Sequence, residues 1–400
     1  MSNFALWPPR KNIGLFACSA VAIGALGGAA LAQTASGPAL SASAFNSDFS
    51  AMAKLKSVAS QGKGKIGVLL PETTTSARYT SFDAPYLKKA FEEAGLPADD
   101  LILTNAQGSE STELTQAQSD ITQGARVLLV DPISSGVGAS IESYAKDHGV
   151  PVIDYDRLTL GGDRAYYVSF DNVEVGKLIG QGMTECLSAW NVKNPQILVM
   201  RGAPTDNNAT LFAQGYMSVL KPDFESKKSV KVGEPAGTWD PATARTTFEQ
   251  QFTAHHDINA VVMPNDDTAN AVISYLKSIK VPPKTFPTTG QDATLTGLQN
   301  VLSGYQCGTV YKPIYLEAQA AVALAVYLRA GMTPPAALVN GTTADTTEHK
   351  NVPSVLLTPE WVTAKNMNST VIADKFVPPA QLCAAPYATA AACKAAGINP

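Results

Sequence analysis

Charge is scarce in this chain. Asp, Glu, Lys and Arg make up 16% of its 400 residues, and the formal net charge is −4. No basic excess exists to form a nucleic-acid surface, and no helix-turn-helix opens the sequence, which sets aside a repressor reading. Cysteine is sparse, with five residues and no Cys-x-x-Cys spacing, and there is no His-x-x-His, so a zinc site is not expected. The four histidines, His148, His255, His256 and His349, fall in helix or loop segments away from the strand ends, which gives no support to a hydrolase triad. Long uncharged runs are absent except for one, so a multi-pass membrane protein is excluded.

That single run, Asn12 to Ala32, follows Arg10 and Lys11 and ends in the small-x-small pattern Ala30-Leu31-Ala32. It reads as a secretory signal peptide cut after Ala32, and the protein is expected to be exported, to the periplasm or the cell surface. An uncleaved anchor and a lipoprotein at Cys18 are the alternatives; too few apolar residues separate Cys18 from Lys11 to favour the second. Removal of the signal leaves Cys186, Cys307, Cys383 and Cys393, an even number that favours disulfides in an exported chain. Cys383 and Cys393 flank a short Ala-rich turn and are expected to be bonded. For Cys186 and Cys307 the sequence leaves both a bond and two buried thiols open.

What the chain does have is length for two domains, 45% hydrophobic residues and a regular alternation of short apolar runs with helical stretches. Strands are expected at Ile66–Leu70, Leu101–Thr104, Val127–Val130, Val152–Tyr155, Tyr167–Phe170, Ile197–Met200, Val230–Glu234, Ala260–Met263, Thr288–Gly290 and Thr309–Tyr311. Helices are clearest at Phe82–Ala94 and Ser111–Gln123, with a short one around Ser50–Ser57 in a Ser/Ala/Gly-rich linker. Apolar strands alternating with helices imply parallel sheets covered on both faces, and ten strands are better divided between two sheets, hence two α/β lobes. The Gly-x-Gly-x-x-Gly of Gly62 to Gly67 precedes the first strand instead of following one, so it is not a dinucleotide fingerprint.

In open parallel sheets ligands bind beyond the carboxyl ends of the strands. Those positions here carry Arg78-Tyr79, Asp156-Arg157, Asp206 with Asn208, Trp239, Asn265, Asp292 and Lys312. Asp and Asn after a strand serve commonly as helix caps, but capping does not account for Arg157, Lys312 and Trp239 at equivalent places. The mixture suits a pyranose, whose hydroxyls both donate and accept and whose C–H faces pack flat on aromatic rings. A glycosidase would need two carboxylates set for acid and base roles; Asp206 and Asp292 are better read as acceptors held by Arg157 and Lys312. No catalytic residue, metal or cofactor is expected.

The motifs Ser76-Ala77-Arg78-Tyr79, Tyr155-Asp156-Arg157, Phe170-Asp171-Asn172, Asp206-Asn207-Asn208-Ala209, Asn265-Asp266, Gly290-Gln291-Asp292-Ala293, Thr309-Val310-Tyr311-Lys312-Pro313 and Val352-Pro353-Ser354 occur in that order. In them the chain resembles the periplasmic sugar-binding proteins of ABC importers, of the xylose-binding and multiple-sugar-binding type, over about Lys65 to Phe376. The resemblance implies a two-lobed type I periplasmic-binding-protein fold, each lobe a parallel sheet flanked by helices, joined by a three-segment hinge near Phe170–Asn172, Thr309–Pro313 and Asn351–Pro359. With the signal peptide over 1–32 and the linker over 33–64 that composition suggests, the expected organisation is an N-terminal lobe of 65–171 and 312–352, a C-terminal lobe of 172–311 and 353–376, and a tail over 377–400. The resemblance also implies a monomer that binds a monosaccharide such as xylose and passes it to a membrane permease, with a chemoreceptor or sensor kinase as a second reader of the closed form. By position, Arg157 would bond the ring oxygen, Asp206, Asn208, Asn265, Asp292 and Lys312 would ring the sugar, Trp239 would stack on one face, and Arg78 with its neighbouring aromatic would close the other. Where such relatives carry Trp, this chain has Tyr79.

Overall fold

A computed structural model describes residues 39–384 and 390–399. The expected signal peptide and Cys18 lie outside the described residues. Twelve strands are present among them: β1 Lys65–Leu70, β2 Leu101–Asn105, β3 Ala125–Val130, β4 Val152–Tyr155, β5 Tyr166–Phe170, β6 Gln196–Val199, β7 Val230–Gly233, β8 Ala260–Val262, β9 Thr309–Tyr311, β10 Gly341–Asp345, β11 Lys350–Leu357 and β12 Glu360–Val362. They form a seven-stranded sheet ordered β10-β11-β5-β4-β3-β1-β2, a three-stranded sheet ordered β7-β6-β8, and the pair β12-β9. All pairings are parallel except β10 with β11 and β12 with β9.

The core strands read as they do because both faces of the sheet are covered. Ile66, Val68, Leu69 and Leu70 in β1 and Val127 to Val130 in β3 are buried without alternation, as expected of parallel strands between helical layers. The order β2-β1-β3-β4-β5 is a doubly wound arrangement, with a crevice where the winding reverses beside β1 and β3. A second winding follows the same plan in β7-β6-β8. The expected strand Thr288–Gly290 is not a full strand. It continues the small sheet only through single parallel bridges, Val261 to Thr288 and Gln291 to Val310, because Pro287 and the left-handed Asp292 and Ala293 bound it closely.

The chain passes between the two sheets three times: after β5, after β9, and between β11 and β12. The lobe boundary expected at 352–353 falls inside β11, which pairs with β5 through Leu357. The switch is therefore made at the next loop, where β12 leaves to pair with β9. The segment expected as a linker over 33–64 is built into the core from Leu40 onward. Phe49, Met52 and Leu55 are fully buried, Phe49 packs on Tyr86, and Gln319 donates to the Asn46 carbonyl at 2.8 Å.

Two disulfides are present. Cys186–Cys307 ties helix Asn172–Ala189 to the loop before β9. Cys383–Cys393 is bonded as expected and closes a segment whose Leu382, Cys393 and Ile398 are buried in a common cluster with Phe376 and Val377. Replacing Cys383 and Cys393 by serine should cost at most about 3 kcal/mol, the entropy of so short a loop; denaturant midpoints of the oxidised protein and the double variant measure it.

Candidate functional site

The ten residues singled out in the sequence line one cavity between the two sheets, together with Thr75, Ser76, Phe212 and Gln291. The cavity and its open mouth together hold about 330 Å³ of space free of protein atoms. Each wall comes from strand ends. Thr75 to Tyr79 follow β1, Asp156-Arg157 follow β4, and Asp206 and Asn208 open helix Asn207–Glu225 after β6. Trp239 follows β7, Asn265 follows β8, Gln291-Asp292 follow the bridged segment, and Lys312 follows β9.

Arg157 is the centre of one wall. Its Nη2 donates to Tyr79 Oη at 2.9 Å and its Nη1 to the Pro132 carbonyl at 3.3 Å. Its Nε lies 3.2 Å from Asp206 Oδ2 and 3.6 Å from Asp131 Oδ1. Beneath it, burial pushes the Asp131 carboxyl well above the ordinary range, although Arg157 pulls the other way. The loop that bears Pro132 is held in turn by Glu113, whose Oε2 accepts from Ile133 N–H at 3.1 Å and whose carboxyl burial lifts to about 8. The guanidinium groups of Arg78 and Arg157 lie 5.6 Å and 5.7 Å from the Tyr79 ring centre.

Asp206 combines helix capping with contacts in the cavity wall. Oδ1 accepts from Asn208 N–H at 2.8 Å as the helix cap, while Oδ2 faces Arg157 and accepts from Trp239 Nε1 at 3.0 Å. Burial raises its pKa, and Arg157 opposes the shift. The Trp239 indole also lies flat over Gly202, where any Cβ would sit 2.2 Å from the ring; only glycine allows this approach. Asn265 likewise caps its helix, with Oδ1 accepting from Thr268 N–H at 3.1 Å.

Two residues expected against the ligand are engaged mainly with protein. Arg78 donates from Nε and Nη2 to both oxygens of Asp83, from Nη2 to Glu317 and from Nη1 to Asp156 at 2.6 Å, which leaves one N–H of its five for the cavity. Its role is to hold Asp156, a residue at φ 58°. Burial would raise the Asp156 pKa, but Arg78, Lys312 and Arg157 outweigh it and hold the carboxyl below its ordinary range. Asn208 bridges the sheets. Its Nδ2 donates to the Asp156 carbonyl at 2.9 Å and its Oδ1 accepts from Asn172 at 2.9 Å. Lys312 sits 3.1 Å from Asp292 and 3.7 Å from Asp156; burial works against its charge and these two carboxylates more than restore it.

Four buried polar atoms of cavity-lining residues have no aligned hydrogen-bond partner among the described residues: Ser76 Oγ, Arg157 Nε, Gln291 Oε1 and Asp292 Oδ1. The Arg157 and Asp292 atoms are close to opposite charges, yet off the hydrogen-bond line. Buried polar atoms are normally paired, so these residues leave one hydroxyl donor, one guanidinium donor and two acceptors unsatisfied in the cavity wall. Ser76 and Gln291 were inside the quoted motifs without being assigned. Asp83, Asp131 and Glu317, which support the wall, were missed. Glu317 had a visible signal, since it is the only charged residue before the end of the apolar helix Ile314–Arg329. No group of His, Cys, Asp or Glu among the described residues could hold a metal ion, and no helix among them is long and apolar enough to cross a membrane.

The periplasmic binding protein domain pattern matches residues 66–332. The D-xylose-binding periplasmic protein of Escherichia coli is 37% identical over 69% of this chain and 81% of its own length. The multiple sugar-binding periplasmic protein SbpA of Azospirillum brasilense is 33% identical over 80% of this chain and 92% of its own. Among solved structures, an ABC-transporter solute-binding protein from Clostridium phytofermentans with bound β-D-glucose superposes with a TM-score of 0.70 at 27% identity, covering 79% of this chain and 99% of that one. With the two wound sheets, the triple crossover and a cavity at the strand ends, the chain belongs to the periplasmic binding protein family.

Proposed function

We propose that this protein captures a monosaccharide, an aldopentose or aldohexose in its ring form, outside the cytoplasm and presents it to the permease of an ABC importer. The observation that carries this reading is the lining of the cavity. Unmatched donors and acceptors occur together among its lining residues, and Tyr79, Phe212 and Trp239 add aromatic rings. A sugar hydroxyl can donate to Asp292 or Gln291 and accept from Arg157 in the same arrangement. Hydrogen bonds to charged partners contribute about 1.5–3 kcal/mol each, so a few of them suffice for micromolar binding near −8 kcal/mol. The sugars named for the relatives, D-xylose and D-glucose, support the same ligand class.

Arg157 and Asp156 on one side and Asp206, Asn208 and Trp239 on the other give the ligand different contacts in the open and closed forms, the condition for sugar-driven closure. The buried, cation-flanked carboxylates act as acceptors, and no bond is made or broken. Calorimetric titration with a panel of aldopentoses and aldohexoses tests the reading. At least one sugar should bind at micromolar concentration, with no product formed. Trp239→Ala should weaken that binding by about 2 kcal/mol, roughly 30-fold, through loss of its flat face and of the Asp206 bond. Binding by no sugar in the panel, or turnover of any of them, would end it.

A further inference from the structure

One contact between the lobes involves none of the cavity residues assigned above. Asp267, in the first turn of helix Asp266–Ser278 after β8, accepts from the backbone N–H of Ala77, in the loop after β1, at 3.0 Å. The pair sits next to Ser76 at the cavity wall and joins the large sheet's lobe to the small sheet's lobe. The charged groups that face Asp267 across this contact are both acidic. Glu72 lies on the opposite lobe, 5% exposed, with Oε2 taken by the N–H groups of Thr74 and Thr75 and Oε1 unpartnered. Asp292 lies on Asp267's own lobe and is paired with Lys312. The remaining neighbour, Asp266, points away, into Gln306, Thr309 and the Thr294 N–H.

We propose that Asp267 is a proton-linked latch, so that the lobes close, and sugar binds, more tightly when its carboxyl is protonated. Closing moves this carboxylate out of water and toward Glu72, and it gains one backbone donor in exchange. A neutral carboxyl can keep that bond through its carbonyl oxygen and escapes the repulsion. Consistently, burial first, then Asp292 and Glu72, raise its pKa to about 6 in this closed arrangement, with the Ala77 bond opposing.

Opening removes Ala77 and Glu72 and returns the group toward its ordinary 3.8. The closed form therefore binds the proton better, and protons favour closing. Lowering the pH from 7.5 to 5.0 should tighten binding through this group by up to about tenfold.

The inference rests on the sugar-binding reading and is tested beside it. Dissociation constants for D-xylose and D-glucose are measured at pH 7.5 and 5.0 for the full chain and for Asp267→Asn and Asp267→Ala. The unsubstituted protein should gain up to about tenfold in acid. Asp267→Asn, a permanent mimic of the neutral group, should lack that gain and bind at pH 7.5 at least as tightly as the unsubstituted protein. Asp267→Ala, which removes the acceptor, should bind more weakly than Asp267→Asn at both pH values. An acid gain that is absent, or that persists undiminished in Asp267→Asn, overturns the latch while leaving sugar binding intact. If these two and every other sugar of the calorimetric panel fail to bind at either pH, the functional reading fails. The latch then stands or falls on ligand-free small-angle scattering: compaction in acid that Asp267→Asn abolishes supports it, and an unchanged profile overturns it.

Discussion

Arg157→Ala is expected to weaken sugar binding by about 4 kcal/mol, close to a thousandfold, the range for truncating one member of a buried charged network at a binding site. The substitution removes the donors to Tyr79 Oη and the Pro132 carbonyl, and the cation shared by Asp131 and Asp206. Asp131 has no other aligned partner among the described residues, so it will take up a proton in preference to staying buried and charged. The fold should survive for that reason, and circular dichroism checks it. Arg157→Lys is the informative companion. It restores a charge but not the planar fork that reaches Tyr79, Pro132 and Asp206 together, so it should recover only part of the loss. Calorimetry with the best-bound sugar measures both variants; a loss below tenfold for Arg157→Ala would remove Arg157 from the centre of the site.

The strand ends were readable because parallel strands buried on both faces are continuous apolar runs, and the residues that follow them have little freedom in where to point. That is why Arg78 to Lys312, spread over more than two hundred positions, meet in one cavity. The division of work among them was not readable. Arg78 and Arg157 look alike in sequence, yet Arg78 is tied to three carboxylates while Arg157 holds Tyr79, the Pro132 carbonyl and Asp206, because Asp83 and Glu317 come from helical segments whose packing no local pattern reveals. Strands β10 to β12 escaped for a related reason. β10 is Gly-Thr-Thr-Ala-Asp, only partly buried at a sheet edge, and β11 carries Pro353, both weak signals. The stretch around Phe49 looked like a linker from its small polar residues, while Phe45, Phe49, Met52 and Leu55 lie at helical spacing and seal the helix Ile314–Arg329.

The second large effect concerns stability. Arg78→Met should destabilise the protein by about 3–5 kcal/mol at pH 7.5, the range for breaking a buried ion pair from one side. Methionine fills much of the space left by the arginine stem, so the loss is chiefly electrostatic. Asp83, Asp156 and Glu317 remain, each nearly or fully buried. The largest share belongs to Asp156, because Arg78 is the strongest of the groups holding its carboxyl below the ordinary range. Burial already pushes Glu317 well above that range, so its share is smaller. The sign of the pH dependence follows. With Arg78 present, the depressed Asp156 adds stability above its unfolded pKa of 3.8, lost as pH falls through the lower folded value. Without Arg78 only Lys312 and Arg157 oppose burial, so the folded pKa of Asp156 rises, the native state takes up protons more readily, and acid relieves the defect. The gap between the two proteins should therefore narrow from pH 7.5 to pH 5.0. Urea denaturation at the two pH values reads it directly. A gap under about 1 kcal/mol at pH 7.5, or one that widens in acid, would mean that the three carboxylates do not depend on Arg78 and that Asp156 is positioned by its backbone, through the bonds its carbonyl accepts from Tyr167, Ser169 and Asn208.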